Sequence, residues 1–264
     1  MKIAVRILAL ALAVIMAVGF AACGAKTADE PADNTNANKP AKTYVIYSDN
    51  AFAPFEFLDT ATNKYVGVDM ELLAAIAADQ GFAYEMKNEG FDAAMGAVQA
   101  GQADAMIAGM TIKPERQEIF DFSEGYFEDG SILVVGKDSA ISSVEDLKGK
   151  VVAAKKGTTS TDYAESIKAQ YGFTIQYFED SPTMYQTVVN GNADACFEDF
   201  SVIGWAIKND GIALKTVGEV VNPGYYGFAV KKGANPELIT MFNAGLANLK
   251  ASGEYDKILE KYGY

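Results

Sequence analysis

Five charged residues stand at places where a folded chain could bring them together, and their types suit a small zwitterion. Asp49 follows the apolar run Tyr44–Tyr47, Lys155 follows Val151–Ala154, and Glu198-Asp199 closes Ala195-Cys-Phe197. Arg116 lies two residues past Pro114, a residue suited to the first position of a helix, so the guanidinium falls in an opening turn. A guanidinium matches a carboxylate in bidentate geometry, and a carboxylate takes an ammonium. The turn Gly157-Thr-Thr-Ser-Thr-Asp162 adds free backbone amides at a helix start, aided by the helix dipole. The stretch Asp49-Asn-Ala-Phe52-Ala-Pro-Phe-Glu-Phe57 is an aromatic loop that could close over an aliphatic or amide side chain. Taken singly, each feature has a plainer reading. Arg116 would be a solvated helix charge, Asp199 a helix cap, and Phe52, Phe55 and Phe91 core packing. Lys155-Lys156 would be a solvated pair, and Trp205 and Cys196 would be buried structural residues. It is their conjunction that points to binding.

Composition removes several other functions. The 264 residues include no histidine, so Ser-His-Asp and Cys-His catalysis and histidine metal sites are excluded. Thirty-five acidic residues against 22 basic ones give a net charge of −13, which argues against nucleic acid and against electrostatic docking on anionic lipid. No calcium-loop spacing and no phosphate-cradling glycine motif occurs, so neither a metal nor a cofactor is expected.

Short β-rich runs alternate with amphipathic stretches such as Asp69–Gln80 and Asp162–Tyr171, which indicates an α/β fold. The chain also echoes itself. Val98-Gln-Ala-Gly-Gln-Ala-Asp-Ala-Met-Ile-Ala-Gly109 matches Val188-Val-Asn-Gly-Asn-Ala-Asp-Ala-Cys-Phe-Glu-Asp199. The strands ending at Asp49 and Lys155 form a second pair in the same order. Two lobes of similar topology follow. Ligands bind beyond the carboxyl ends of strands in open α/β sheets. Facing lobes would therefore set Asp49 and Thr111 opposite Lys155 and Asp199.

The N-terminus reads as a leader. Lys2 and Arg6 precede an uncharged apolar run from Ile7 to Ala22, directly before Cys23. Residues 24–42 hold nothing aromatic and cannot bury enough surface to order themselves, so they form a tether.

Gly19-Phe-Ala-Ala-Cys23 resembles a bacterial lipobox, which implies cleavage before Cys23 and lipidation of its thiol. The body resembles the polar amino-acid receptors of ABC importers, solute-binding protein family 3 of the type II periplasmic binding proteins. The carriers are Ala53-Pro-Phe-Glu-Phe57, Val66-Gly-Val-Asp-Met70, Ala108-Gly-Met-Thr111 with Pro114-Glu-Arg116, and Phe120-Asp-Phe-Ser-Glu-Gly-Tyr126. Asp146-Leu-Lys-Gly-Lys150, Gly157-Thr158 and Leu249-Lys-Ala-Ser-Gly-Glu-Tyr-Asp-Lys-Ile258 complete them.

The resemblance implies a Venus-flytrap fold with lobe one at 43–127 plus 227–264, lobe two at 131–223, and hinges near 127–130 and 223–227. Gly130, Gly224 and Gly227 would give those hinges backbone freedom. The pattern is most similar to glutamine receptors. It implies that Arg116, with the amides of Thr111 and Thr159, takes the ligand carboxylate. Asp199, the Gly109 carbonyl and the Thr111 hydroxyl would take the ammonium. Phe52 and Phe91 would sandwich the side chain, Asp49 and Lys155 would meet its amide, and Thr158 and Glu198 would complete the pocket. Glu198 stands where the enteric glutamine receptor has histidine, and Thr159 where it has glycine. The expected protein is a monomeric, non-enzymatic receptor held outside the cytoplasm by lipid and docking on a permease driven by an ATPase. The alternatives are an arginine or lysine receptor of the same family and a fold-related dehydratase or lyase.

Overall fold

The computed structural model describes residues 42–264; the expected leader, the lipobox and Cys23 lie outside them. The chain opens with Thr43–Ser48 (β1), Ala51–Phe52 (β2), Glu56–Asp59 (β3), Lys64–Val66 (β4) and Val68–Gln80 (α1). Ala83–Asn88 (β5), Phe91–Ala100 (α2), Ala105–Met106 (β6), Pro114–Gln117 (α3) and Phe120–Phe122 (β7) follow. The long strand Phe127–Gly136 (β8) leads to Val151–Lys155 (β9), Thr159–Tyr171 (α4), Thr174–Phe178 (β10), Ser181–Val189 (α5) and Ala195–Asp199 (β11). Phe200–Trp205 (α6), Leu214–Tyr226 (β12), Ala229–Lys231 (β13), Pro236–Ser252 (α7) and Glu254–Lys261 (α8) complete it.

Two five-stranded sheets result, ordered β5-β1-β6-β13-β7 and β10-β9-β11-β8-β12. In each, the second, first and third strands of the half run parallel, and one strand runs antiparallel beside the third. That antiparallel strand is β13 in the first sheet and β8 in the second, and each adjoins a passage between the halves. The expected α/β two-lobe fold is present. Apolar clusters cover both faces of both sheets.

The sequence echo has a structural cause. In each Ala-Asp-Ala triplet the aspartate clamps the start of the first strand of its own sheet. Asp104 Oδ2 accepts from the Val45 N–H at 2.9 Å, and the Asp104 N–H donates to the Val45 carbonyl at 2.8 Å. Asp194 repeats both bonds with Val151, each at 2.8 Å. Each also carries a lysine: Lys42 lies 2.8 Å from Asp104, and Lys150 lies 3.1 Å from Asp194. Lys42, expected in the tether, is thus fastened to the first sheet.

The aromatic loop is fixed by Gly67, where a Cβ would come within 2.1 Å of the Phe55 carbonyl oxygen at a φ of +135°. Only glycine allows α1 to start against that loop. The expected hinge glycines are also sites of close packing. None of Gly130, Gly224 and Gly227 has positive φ. A Cβ there would come within 2.6 Å of Val220, 2.9 Å of Thr111 and 2.8 Å of Ile112 respectively, so a side chain would have to displace these neighbours. Trp205 is only half-buried, against Phe57 and Tyr262, whereas Cys196 is fully buried as expected.

Candidate functional site

The first strands of the two sheets, β1 and β9, point their C-terminal ends at each other. Asp49, just after β1, is fully buried, and Lys155, the last residue of β9, is 3% exposed. Lys155 Nζ donates to Asp49 Oδ2 in a short charge-assisted bond. Asp49 Oδ1 accepts from the N–H of Asn50 at 2.6 Å, which holds the carboxylate in the turn that begins the aromatic loop. Burial opposes the charge on Lys155, but Asp49, Glu198 and Glu56 outweigh it and hold the ammonium above its ordinary pKa. The ammonium lies 4.6 Å from the Phe52 ring centre and 5.9 Å from that of Phe91. The rings expected to sandwich a ligand side chain therefore flank Lys155 itself.

Pro114 starts α3, and this turn directs Arg116 inward, where it is 6% exposed. Its Nη1 donates to the Thr111 carbonyl at 2.8 Å and its Nη2 to the Gly157 carbonyl at 2.9 Å, one from each half of the chain. The guanidinium lies 5.3 Å from the Phe91 ring centre. Burial pulls its pKa down to about 10, partly offset by Asp162 and Asp199, so it stays charged at neutral pH. Among the described residues no carboxylate lies within 4.0 Å of it. Desolvated and without a counter-charge, Arg116 is arranged to take an external carboxylate.

Thr111 forms an isolated antiparallel bridge with Tyr226, in which Ile112 and Gly227 supply the hydrogen bonds. The Thr111 N–H and carbonyl thus point away from Tyr226. The Thr158 hydroxyl caps α4, accepting from the Thr161 N–H at 3.1 Å and donating to the Lys155 carbonyl at 2.9 Å. The amides of Thr159 and Ser160 remain among the donors that a helix start leaves unpaired. The Thr159 hydroxyl donates to that of Thr111 at 3.1 Å across the cleft. Lys113 and Asp162 form an ion pair between the same two segments.

The β11 end supplies the acids. Asp199 Oδ1 accepts from Ser160 at 3.0 Å and Oδ2 from the Tyr226 hydroxyl at 2.5 Å. Its side chain makes no cap bond to α6, which removes the plainer reading. Glu198 Oε2 accepts from Ser181 and Tyr185, both at 2.8 Å, and Oε1 from the Asp199 N–H at 3.0 Å. Burial and the neighbouring Asp199 push Glu198 up to about 7, against the pull of Lys155, and burial raises Asp199. Phe52, Phe91, Gly109, Thr111, Arg116, Lys155, Thr158, Thr159, Glu198 and Asp199 line one cavity of about 10 Å³, with Ala108 beside them. Asp49 stands behind Lys155, outside that wall.

A model of the bacterial extracellular solute-binding proteins, family 3, matches residues 44–264. The chain belongs to that family. A probable histidine-binding protein of Neisseria gonorrhoeae is 34% identical, the match covering 93% of this chain and 91% of the relative. An ancestral arginine-binding protein bound to glutamine is 38% identical over 84% of this chain and 97% of its own, with a TM-score of 0.77. The substrate-binding domain 2 of Lactococcus lactis GlnP, in open conformation, is 45% identical over 85% and 97%, with a TM-score of 0.59. Family 3 receptors are amino-acid-binding components of ABC transporters that work outside the cytoplasm, not enzymes. Among the described residues no helix is long and apolar enough to cross a membrane.

Sequence reasoning missed the residues that hold this family 3 site in place. Ser160 and Tyr226 fix Asp199, and Ser181 and Tyr185 fix Glu198. Behind the Gly109 wall lie Glu56 and Asp69, both fully buried. Asp69 Oδ2 accepts from the Gly109 N–H and the Tyr126 hydroxyl, both at 2.8 Å. Asp69 Oδ1 and both Glu56 oxygens have no conventional donor. The two carboxyls are within hydrogen-bond reach of each other, and burial, helped by Asp69 and Asp49, pushes Glu56 well above the usual range. A proton on Glu56, donated to Asp69 Oδ1, serves that oxygen and one of Glu56's and leaves the second Glu56 oxygen without a donor. Glu56 and Asp69 fall inside Ala53–Phe57 and Val66–Met70, but nothing in a linear spacing shows that two acids meet.

Proposed function

We propose that this receptor binds L-glutamine and delivers it to an ABC permease and its ATPase by cleft closure. Arg116 carries the reading, as a buried guanidinium without a carboxylate that shares a cavity with Asp199. Arg116 and the amides of Thr111 and Thr159 take the α-carboxylate. Asp199, the Gly109 carbonyl and the Thr111 hydroxyl take the α-ammonium. Lys155 offers a donor to a side-chain amide while Asp49 behind it balances its charge; a lysine side chain would meet a like charge at Lys155, and a glutamate one at Glu198. Ancestral arginine-binding proteins of equal identity to this chain hold glutamine in one structure and arginine in another, so the choice rests on the cavity and not on that likeness.

Lobe one spans 43–127 and 227–264 and lobe two 131–223. The paired crossovers, where Phe127, Glu128 and Asp129 face Tyr226, Tyr225 and Gly224, act as the hinge. The GlnP domain in open conformation is more identical to this chain than the glutamine-bound ancestor yet superposes less well, which fits a closed setting of the lobes here. A monomer anchored through lipid on Cys23 completes the reading. A fatty-acid analogue should label the wild type and leave Cys23→Ser unlabelled.

A second reading, an arginine receptor, draws on Glu198 in the cavity wall. Calorimetric competition of glutamine, glutamate, arginine, lysine and histidine for ligand-stripped protein at pH 7 tests both. Glutamine should win; an arginine or lysine preference of tenfold or more overturns the glutamine assignment.

A further inference from the structure

The Tyr226 hydroxyl has one proton and two carboxylates to give it to. It lies 2.5 Å from Asp199 Oδ2, which lines the cavity, and 3.2 Å from Asp129 Oδ2, which does not. Asp129 belongs to β8 and faces Gly224 of β12, two residues before Tyr226, so this shared proton joins the two crossover strands. The rest of Asp129 is held firmly. It accepts from the Gly130 N–H at 2.8 Å, from the Ser201 N–H at 3.2 Å, and from the Ser201 hydroxyl. A second link runs from the same strand, since Ser131 lies 2.7 Å from Ser160, which donates to Asp199.

We propose that Asp129 is a positioning residue for ligand binding, acting through the Tyr226 hydroxyl to keep Asp199 basic enough to hold an ammonium and tying that contact to both crossover strands. The inference rests on the amino-acid reading of the cleft. A phenol that donated wholly to Asp199 would compete with the ligand ammonium for the same oxygen. The contact to Asp129 at 3.2 Å draws on that proton while the bond to Asp199 at 2.5 Å remains, so Asp199 keeps more of its acceptor capacity for an ammonium, and the charge of Asp129 adds to the attraction. An ammonium beside Asp199 in turn stabilises both carboxylates, so binding at mildly acidic pH releases a proton held by the pair. The groups facing this pair are Glu198 on β11, Tyr226 on β12, Lys155 on β9, Arg116 on α3 and the C-terminal Tyr264. Burial and the charge of Asp199 raise Asp129 to about 6, consistent with a proton being present to release.

The test is a cycle of Asp129→Asn and Tyr226→Phe, with binding of L-glutamine (or of whichever amino acid wins the competition) measured by calorimetry and folding checked by thermal melting. Asp129→Asn should weaken binding about tenfold in the wild-type background and less than threefold in the Tyr226→Phe background. Proton release at pH 6, read from buffers of different ionisation enthalpy, should fall in Asp129→Asn and persist in Ser201→Ala. Equal loss of affinity in both backgrounds overturns the proposal, as does Ser201→Ala reproducing the Asp129→Asn defect, because Asp129 would then act through packing. If Asp129→Asn fails to fold, Tyr226→Phe alone should raise proton release, because Asp199 loses a hydrogen bond that holds its pKa down, and unchanged release overturns the proposal. A folded wild type that binds no amino acid overturns the amino-acid reading itself, a distinguishable result.

Discussion

At the residue scale, two buried acids make opposite demands on the proton. Glu56 is a donor in the native state, and glutamine offers a donor of similar shape, so Glu56→Gln should change stability by less than about 1 kcal/mol. Asp69 is an acceptor from Gly109, Tyr126 and Glu56, and an asparagine there would turn a donor against at least one of them. Asp69→Asn should cost about 2–3 kcal/mol in urea unfolding and weaken ligand binding through the displaced Gly109. Equal effects of the two substitutions would show that no proton is shared. Glu198 gives a selectivity prediction. With its pKa at about 7, it gains charge between pH 6 and 8. That charge favours a guanidinium side chain over an amide, whereas Asp199 meets the ammonium that both ligands share. The ratio of arginine to glutamine affinity should rise severalfold across that range in the wild type and stay flat in Glu198→Gln. Parallel pH profiles in the two proteins would remove Glu198 from the specificity argument.

At the scale of elements, the matched aspartates show what repetition in the chain records. Asp104 and Asp194 each accept from the amide of the first strand of a sheet and donate back to its carbonyl, so each locks a β-α-β corner. Asp104→Ala and Asp194→Ala should each cost about 1–3 kcal/mol, since an amide is left without its acceptor. Urea midpoints measure both, and a neutral result at either position would make the echo a coincidence of composition. The fold was legible in the sequence because strand ends, helix stops and the Ala-Asp-Ala repeat are local signals. The cavity wall was legible because Lys155, Arg116 and Asp199 stand at those same strand ends and helix starts, with Asp49 behind Lys155 at another. The supporting contacts were hidden, since Tyr226–Asp199 and Tyr126–Asp69 join segments 27 and 57 residues apart. The glycines of the crossovers were legible in place, but only the packed structure shows Val220, Thr111 and Ile112 close against them.

At the scale of the whole molecule, the buried acids set an unusual pH dependence. Burial raises Asp69 and Asp129 to about 6 and Glu198 to about 7, and it lifts Glu56 and Asp199 in the same direction. A carboxyl whose folded pKa exceeds its unfolded one holds more protons in the native state. Its contribution is complete below the unfolded value near 4 and is lost as pH rises through the folded value. The window of loss is therefore about pH 4–7. Asp129, Glu198 and Asp199 share charge, so they lose their protons as a group and the combined loss is smaller than the sum of independent sites. The net charge of −13 acts in the same sense, because each lost proton adds to self-repulsion. At the acid end the order reverses. Asp59, Asp121 and Asp146 are surface carboxylates, the first two half-buried, held below their ordinary pKa by hydrogen bonds, and their small contributions vanish as pH falls below about 4. Ligand-free protein should thus be most stable near pH 5, with a urea midpoint clearly above that at pH 7.5 and an unchanged slope. Saturating amino acid should flatten the curve, because an ammonium beside Asp199 stabilises the charged form of the acids around it. A midpoint that rises from pH 5 to pH 7.5 in the ligand-free protein would mean that these carboxyls are ionised when folded, and the proton-sharing account of the site would fall with it.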